Sequence, residues 1–262
     1  MHSFLGDQEW SPFHSGEIKR LSRPFDLGRL LKWLLILGSI IFAVVLLNIL
    51  SHIFTNWLWF DALGYLSVYV RILVTRTCLF FAGAFIFAII SVPSTVYTYR
   101  AFDGAQSVLL SQALYDFLKR LFVWGTSLSI FLLAVIFGST LANQWETVLS
   151  FINGIQFNTN EPVFQKDISF YVFTLPFLRM IQQWLLSVII TTIAIAISIH
   201  VITLVLSGVN FRQAITPKML KQFSILLGFM LLVVALGYWL KTYELMFSSN
   251  GAIFGAAYTD LN

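Results

Sequence analysis

The sequence predicts an all-α fold, a polytopic transmembrane helical bundle of five membrane helices plus an amphipathic helix on the inner leaflet. Hydrophobic residues make up 58% of the 262 residues and charged residues 11%, against roughly 45–50% and roughly 25% in soluble domains. The segment 33–60 contains no formally charged side chain, and about 20 apolar helical residues suffice to cross a bilayer. A membrane domain therefore explains the composition, whereas a soluble core of this size does not.

Five long apolar segments predict the membrane helices. They share a lack of Asp, Glu, Lys and Arg and lie at 33–60, 77–97, 121–141, 180–206 and 222–240. They divide the chain into an N-terminal tail (1–30), a transmembrane domain (31–247) and a C-terminal tail (248–262). No small-residue cleavage site follows the first span, so we expect this span to be retained as a signal anchor.

The distribution of basic residues predicts the orientation of the spans. Lys and Arg are enriched in cytoplasmic loops of membrane proteins, and eleven of the 16 fall on one side of the predicted bundle: Lys19, Arg20, Arg23, Arg29, Lys32, Arg100, Lys119, Arg120, Arg212, Lys218 and Lys221. We therefore expect a cytoplasmic N-terminal tail and an extracytoplasmic C-terminal tail. Because this orientation explains the positive charge, nucleic acid is not an expected partner.

Two connections have a recognisable pattern. Segment 105–121 places apolar residues at helical spacing, which predicts a helix lying on the inner leaflet: Leu110, Leu114, Phe117, Leu118 and Leu121. Segment 65–76 is interpreted as an approach to the second span. Its Arg71 and Arg76 are expected to reach lipid phosphates, the alternative being an anion site.

The longest connection, 142–179, is expected to have a structural or functional role because loops of this length are uncommon. Its part 158–173 is rich in Phe, Tyr, Ile and Val, and we expect this part to pack against the outer ends of the helices. A threonine closely followed by proline predicts helix starts at Thr174 and Thr216.

The candidate chemical groups are few. His52 and His200 are predicted near opposite leaflets, so a shared haem or metal site is not expected. Interhelical hydrogen bonding is the favoured role of each, and contact with a pigment or lipid stays open. Lys241 and Glu244 are spaced for a surface ion pair. Cys78 is the single cysteine and is interpreted as a packing residue.

No catalytic motif is recognisable, so we expect neither enzymatic activity nor a catalytic, cofactor or metal site. The predicted spans contain no Asp or Glu, which disfavours ion-coupled transport. The polar residues available for a transport path are also ordinary helix-packing residues: Asn48, Ser91, Thr126, Ser127, Ser129, Thr191, Thr192 and Ser198. A transporter or channel component therefore stays as the alternative function.

Three stretches resemble the uncharacterised protein family UPF0182 of bacterial integral membrane proteins. They are 56–65 (NWLWFDALGY), 161–177 (EPVFQKDISFYVFTLPF) and 248–260 (SSNGAIFGAAYTD). The family commonly has Asp and Gly where this chain has Glu161 and Gln165. Its typical members continue past the Tyr-Thr-Asp motif into further spans and a large extracytoplasmic domain, so this chain resembles either a short form of the family or the membrane part of a longer product. The resemblance implies a multi-pass protein of the bacterial cell membrane, or of an internal membrane derived from it, and supplies no activity.

All three stretches fall on the predicted outer face. They serve there either as caps that finish helix ends or as a docking surface for a partner, with these candidate residues: Trp57, Trp59, Phe170, Tyr171, Phe173 and Tyr258. Aromatic residues are enriched at protein interfaces. The predicted function is an accessory, scaffold or assembly subunit without catalytic activity, bound to the lipid bilayer and to other membrane protein subunits.

Overall fold

The structure, a computed structural model, describes residues 27–101, 112–207 and 216–247. Its α-helices are α1 (Leu27–Ala62), α2 (Leu66–Ala101), α3 (Gln112–Ala142), α4 (Trp145–Ile152), α5 (Leu175–Ser207) and α6 (Pro217–Glu244). A π-helical segment (Phe170–Thr174) precedes α5 and a 3-10 turn (Leu245–Phe247) follows α6. Within these ranges there is no strand beyond a single bridge between Asn160 and Asp167. The predicted all-α class is confirmed.

Five of the helices are long and apolar enough to cross a membrane. These candidate spans are Lys32–Ala62, Leu66–Arg100, Asp116–Ala142, Phe170–Val205 and Pro217–Glu244. Each contains one of the five predicted spans almost entirely. The predicted tails at 1–30 and 248–262 lie wholly or mostly outside the described residues, as does Tyr258.

Of the described residues, those up to Leu66 form one unit, which contains α1. This helix ends in a Schellman motif: the Tyr65 N–H donates to the Phe60 carbonyl at 2.9 Å, and the Gly64 N–H donates to the Asp61 carbonyl at 3.0 Å. The motif needs a residue in the left-handed region, and Gly64 has φ 74°. The glycine in the first family-like stretch therefore has a direct structural role.

The second unit begins at Ser67 and contains the other helices. The segment interpreted as an approach, 65–76, is almost entirely the beginning of α2, so Arg71 and Arg76 belong to a continuous helix. The described part of the predicted amphipathic segment, 112–121, is helical and runs without interruption into the third span. Residues 105–111 lie outside the described residues.

The two predicted helix starts have different outcomes. Thr216 is the N-cap of α6, and its side chain accepts a hydrogen bond from the Met219 N–H at 3.3 Å. The prediction at Thr174 is wrong, because helical structure already begins before it. The Leu175 N–H donates to the Phe170 carbonyl, five residues back, and this π-type register comes immediately before Pro176, which has no N–H to donate.

The core of the second unit joins α2, α3 and α5. Its buried side chains are Phe87, Ile130, Leu141, Trp184 and Val188. The rings of Phe87 and Phe137 stack at 4.8 Å, and Gly83 and Gly138 allow α2 and α3 to approach closely. A Cβ at position 138 would lie 2.6 Å from the Phe80 carbonyl oxygen. Glycine is therefore required at this contact.

Candidate functional site

The predicted outer face contains a structured cap, defined here as residues 145–174 of the connection between α3 and α5. Helix α4 begins the cap and was not expected from the sequence. Its Val148 is buried, and the Arg76 guanidinium lies 5.1 Å from the centre of the Trp145 ring. Cation–π geometry of this kind is attractive, so Arg76 contacts the cap, where a lipid phosphate had been the expected partner.

A carboxylate organises the turn at the centre of the cap. The Glu161 side chain accepts hydrogen bonds from the backbone N–H groups of Val163 and Phe164 and from the Tyr171 hydroxyl, at 3.1 Å for the last. The Glu161 N–H donates to the Lys166 carbonyl at 2.9 Å. An aspartate could accept similar local bonds. This gives a physical reason for the aspartate that is common at this position in the family that the chain resembles.

Asp167 closes the base of the same turn. Its Oδ1 accepts hydrogen bonds from the backbone N–H groups of Ser169 at 2.7 Å and Phe157 at 3.2 Å. Bonds from the side chain and backbone of Ser169, with smaller contributions from the Phe157 and Asn158 N–H groups, lower the pKa of Asp167 to about 2. The carboxylate is therefore ionised at neutral pH.

Aromatic contacts attach the cap to the helix ends. The Tyr243 ring near the end of α6 lies 5.0 Å from Phe164 and 5.2 Å from Phe170. The rings of Phe151 in α4 and Phe177 in α5 stack at 4.2 Å. The predicted packing of 158–173 on the helix ends therefore agrees with the structure.

Gln165 has φ 56°, a left-handed conformation that costs an L residue roughly 1–2 kcal/mol. The resembling family commonly has glycine here, which adopts this conformation freely but loses about 0.5–1 kcal/mol more entropy on folding. We expect Gln165→Gly to raise the free energy of unfolding by about 0.5–1 kcal/mol, measured by denaturant unfolding in mild detergent. The control Lys166→Gly, at a residue without positive φ, should lower it. Equal shifts of both variants would contradict this explanation.

The predicted docking residues are placed very differently from one another. Tyr171 is 6% exposed and packs with Leu175 and Leu240, so its ring is not available at the surface. Phe170 and Phe173 are partly buried within the cap. In the unit of α1, Trp57 and Trp59 are exposed. The contacts of Phe170, Tyr171 and Phe173 match their predicted role in finishing the helix ends. Their predicted role in docking a partner stays a prediction.

Other apolar side chains of the cap are exposed. Ile155 is 74% and Ile152 67% exposed, and Phe157 and Val172 are also exposed. Ile152, Ile155 and Phe157 lie outside the candidate spans. The aromatic run 170–173 directed the prediction to Phe170, Tyr171 and Phe173, whose side chains are buried or partly buried in the cap.

Beside the cap, an ion pair joins α5 to α6. The Arg179 guanidinium contacts both Glu244 carboxylate oxygens at 3.0 and 3.1 Å and donates to the Gly237 carbonyl at 3.1 Å. The predicted pairing of Lys241 with Glu244 is therefore wrong. The Lys241 ammonium instead lies 5.5 Å from the centre of the Tyr238 ring. The sequence could not reveal the Arg179 contact because its partner is 65 residues away.

Polar side chains also join the helices deeper in the bundle. The Ser91 and Thr192 hydroxyls are 2.8 Å apart between α2 and α5. At the end of the bundle away from the cap, Gln222 of α6 donates to the Thr98 hydroxyl of α2 at 2.8 Å and to Ser94. Gln222 is 6% exposed, so these bonds replace solvent. Ser91 and Thr192 were among the polar residues considered for a transport path, whereas Gln222 was not.

Several of the hydroxyls considered for a transport path bond to their own helix. Ser127, Ser129 and Ser198 donate to carbonyls four residues earlier at 2.8–2.9 Å. Thr126, Ser129, Thr191 and Ser198 nevertheless line one groove between α3 and α5, with a volume of about 680 Å³. The groove brings together four of the eight predicted polar residues.

The histidines do not share a site. His52 lies within hydrogen-bond distance, 2.9 Å, of Asn56 in the same helix, which is not the interhelical bond that was expected. His200 is buried on α5, where its ring meets the edge of Phe223 at 5.5 Å. Across the described ranges, no group of three His, Cys, Asp or Glu side chains is arranged to hold a metal ion. Cys78 is exposed and forms no disulfide, so it does not fill buried space.

Comparison with known proteins places these features in a family. The model of the family described as Uncharacterised protein family (UPF0182) matches residues 33–262. A UPF0182 protein of Thermobifida fusca is 32% identical over 237 residues, which are 87% of this chain and 22% of that protein. One of Corynebacterium jeikeium is 30% identical over 87% of this chain and 23% of its own length. One of Trichodesmium erythraeum is 28% identical over 88% and 26%.

This chain therefore spans about a quarter of the length of these relatives. No solved structure matches it. The family match covers most of the chain, including the Schellman turn at Gly64, the Glu161 turn and the residues that bury Tyr171. The chain belongs to the uncharacterised protein family UPF0182.

Proposed function

We propose that this chain is a non-catalytic accessory, scaffold or assembly subunit that binds another membrane protein through its cap. The observation that carries the proposal is the exposure of Ile152 and Ile155 on a structured segment outside the candidate spans. Exposed apolar residues within spans are explained by lipid contact, but beside the membrane they favour a protein partner. The chemical basis of binding is burial of these apolar side chains.

The rigidity of the cap supports this function. Glu161 and Asp167 fix its turn, and aromatic rings attach it to α5 and α6. A surface that is ordered before binding loses less conformational entropy on association than a flexible loop does. The cap therefore suits recognition of a partner by shape.

The test replaces Ile155 with alanine and compares the partner captured by cross-linking in membranes and purification in mild detergent. The matched control is Leu232→Ala, because Leu232 is similarly exposed but lies within the candidate span of α6. We expect Ile155→Ala to reduce the amount of captured partner several-fold and Leu232→Ala to leave this amount unchanged. Isolation of the unsubstituted chain without a partner, or equal losses in both variants, would overturn the proposal.

The alternative function is a transporter or channel component. It is favoured by the groove between α3 and α5, where hydroxyl groups of both helices face one space. A transport role predicts solute flux in vesicles reconstituted with the purified chain, and loss of flux when Leu133, which lines the groove, is replaced by tryptophan. Absence of flux for a panel of ions and small solutes, together with a captured partner, would favour the scaffold.

The proposed location is the bacterial cell membrane, with the N-terminal tail in the cytoplasm and the cap outside. The excess of Lys and Arg on one side supports this orientation. A chain carrying Cys78→Ala and one new cysteine, at Ser15 or at Asn250, should react with a membrane-impermeant thiol reagent in intact cells only at position 250. Reaction at both positions would contradict the orientation.

A further inference from the structure

A second groove, between α2, α5 and α6, has an almost wholly apolar lining and ends, away from the cap, beside several polar residues, called here its polar end. Its volume is about 530 Å³. Lys221, Gln222, Ser94 and Tyr97 line the end away from the cap, and only apolar side chains such as Ile189, Phe229 and Val233 line the remainder. The lining therefore suits an acyl chain, and the charge available to a headgroup is that of the exposed Lys221 beside the groove.

The length of the groove corresponds to one leaflet. The residues that line it on α6 extend from Lys221 to Val233, which is about 18 Å of helix at 1.5 Å per residue. Half of a bilayer's hydrocarbon layer is about 15 Å. One acyl chain can therefore follow α6 from the polar end of the groove to the middle of the membrane.

Two exposed lysines lie near the polar end of the groove. Gln222 already bonds to Ser94 and Thr98, whereas Lys221 and Tyr97 are exposed. Lys218, also exposed, lies one turn before Lys221 on α6. An ammonium group next to an apolar groove complements a phosphate attached to an acyl chain.

We propose that this groove binds one anionic glycerophospholipid, with its phosphate at Lys221 and one acyl chain along α6 as far as Val233. In the proposed orientation this lipid belongs to the inner leaflet. The site is separate from the cap and does not depend on the partner proposed for it. It would give the bundle a preference for membranes that contain acidic lipid.

The test is native mass spectrometry of the purified chain in mild detergent with added phosphatidylglycerol or phosphatidylcholine. We expect one phosphatidylglycerol to bind selectively, and Lys221→Gln to weaken this binding about fivefold, the attraction of one lysine to an acidic lipid surface. Lys241→Gln is the matched control, because Lys241 is exposed near the other end of the same helix. It should bind as the unsubstituted chain does.

A second variant tests the apolar body. Ile225 lines the groove and is exposed, so Ile225→Trp should fill space that the acyl chain needs and also weaken binding several-fold, with helicity checked by circular dichroism. Glycerol 3-phosphate, which has the phosphate without acyl chains, should not compete. Equal binding of both lipids, equal effects of the two lysine variants, full binding by Ile225→Trp, or competition by glycerol 3-phosphate would each overturn the proposal. Seating of a partner's helix in the groove, seen as cross-links from position 225, would overturn it too.

Discussion

Replacing Gly138 with alanine is expected to lower the free energy of unfolding by about 1–3 kcal/mol, the usual cost of forcing an extra group into a packed contact. The added Cβ would lie 2.6 Å from the Phe80 carbonyl oxygen and 3.1 Å from the Phe80 ring. Because the nearest atom belongs to the backbone, it cannot rotate away, so α2 and α3 must separate. Denaturation from mild detergent into dodecyl sulfate, followed by circular dichroism, measures the change.

Gly125 provides the control on the same helix. A Cβ at position 125 has no neighbour within 4 Å, and alanine is favoured over glycine in a helix interior by about 1 kcal/mol. Gly125→Ala should therefore leave stability unchanged or raise it slightly. A lower free energy of unfolding for Gly138→Ala, but not for Gly125→Ala, would show that close packing of α2 on α3 decides the result. Equal changes in the free energy of unfolding would contradict this explanation.

Trp184→Ala is expected to cost about 3 kcal/mol, at the low end of the range for large aromatic residues in cores, because the unfolded reference state also contacts apolar lipid. Trp184 is 8% exposed. Its indole N–H donates to the Phe137 carbonyl at 3.1 Å, and its ring meets the Phe137 ring edge-on at 6.2 Å. Alanine removes both contacts and leaves a cavity between α3 and α5.

Two further substitutions separate the contribution of the Trp184 hydrogen bond from that of its packing. Trp184→Phe keeps an aromatic ring but removes the indole N–H, so we expect a smaller loss of about 0.6 kcal/mol for the hydrogen bond, plus the reduced ring area. Trp124 is 73% exposed on α3, and Trp124→Ala should change stability by less than about 0.5 kcal/mol. A comparable loss for Trp124→Ala would mean that lipid contact, rather than interhelical packing, stabilises the bundle.

The spans were predictable because each crossing segment in a membrane must be a helix that satisfies its own backbone groups. Uncharged apolar runs therefore located α1, α2, α3, α5 and α6. Their ends were less predictable. Arg71 and Arg76 interrupt the apolar pattern without interrupting the helix of α2, because a helix continues past the hydrocarbon layer wherever its backbone bonds persist.

The cap and the candidate sites were much less predictable, because they depend on contacts between residues far apart in sequence. Local spacing favoured the pair Lys241 and Glu244, whereas the fold gives Glu244 to Arg179. Aromatic content selected Tyr171 as a surface residue, whereas the Glu161 carboxylate satisfies its hydroxyl and allows its burial. Sequence patterns describe one helix or one loop at a time and do not specify which elements meet.

Three of the polar contacts of the second unit connect α2, α5 and α6 in a closed triangle, each side at a different depth. Arg179 and Glu244 join α5 to α6 near the cap, Ser91 and Thr192 join α2 to α5, and Gln222 and Thr98 join α6 to α2 at the far end. Translation of one helix along its axis by a single turn, about 5.4 Å, would break two sides of the triangle at once. A piston-like stroke of one helix is therefore unfavourable, and any relative movement of α2, α5 and α6 is confined to tilting or rotation of all three together.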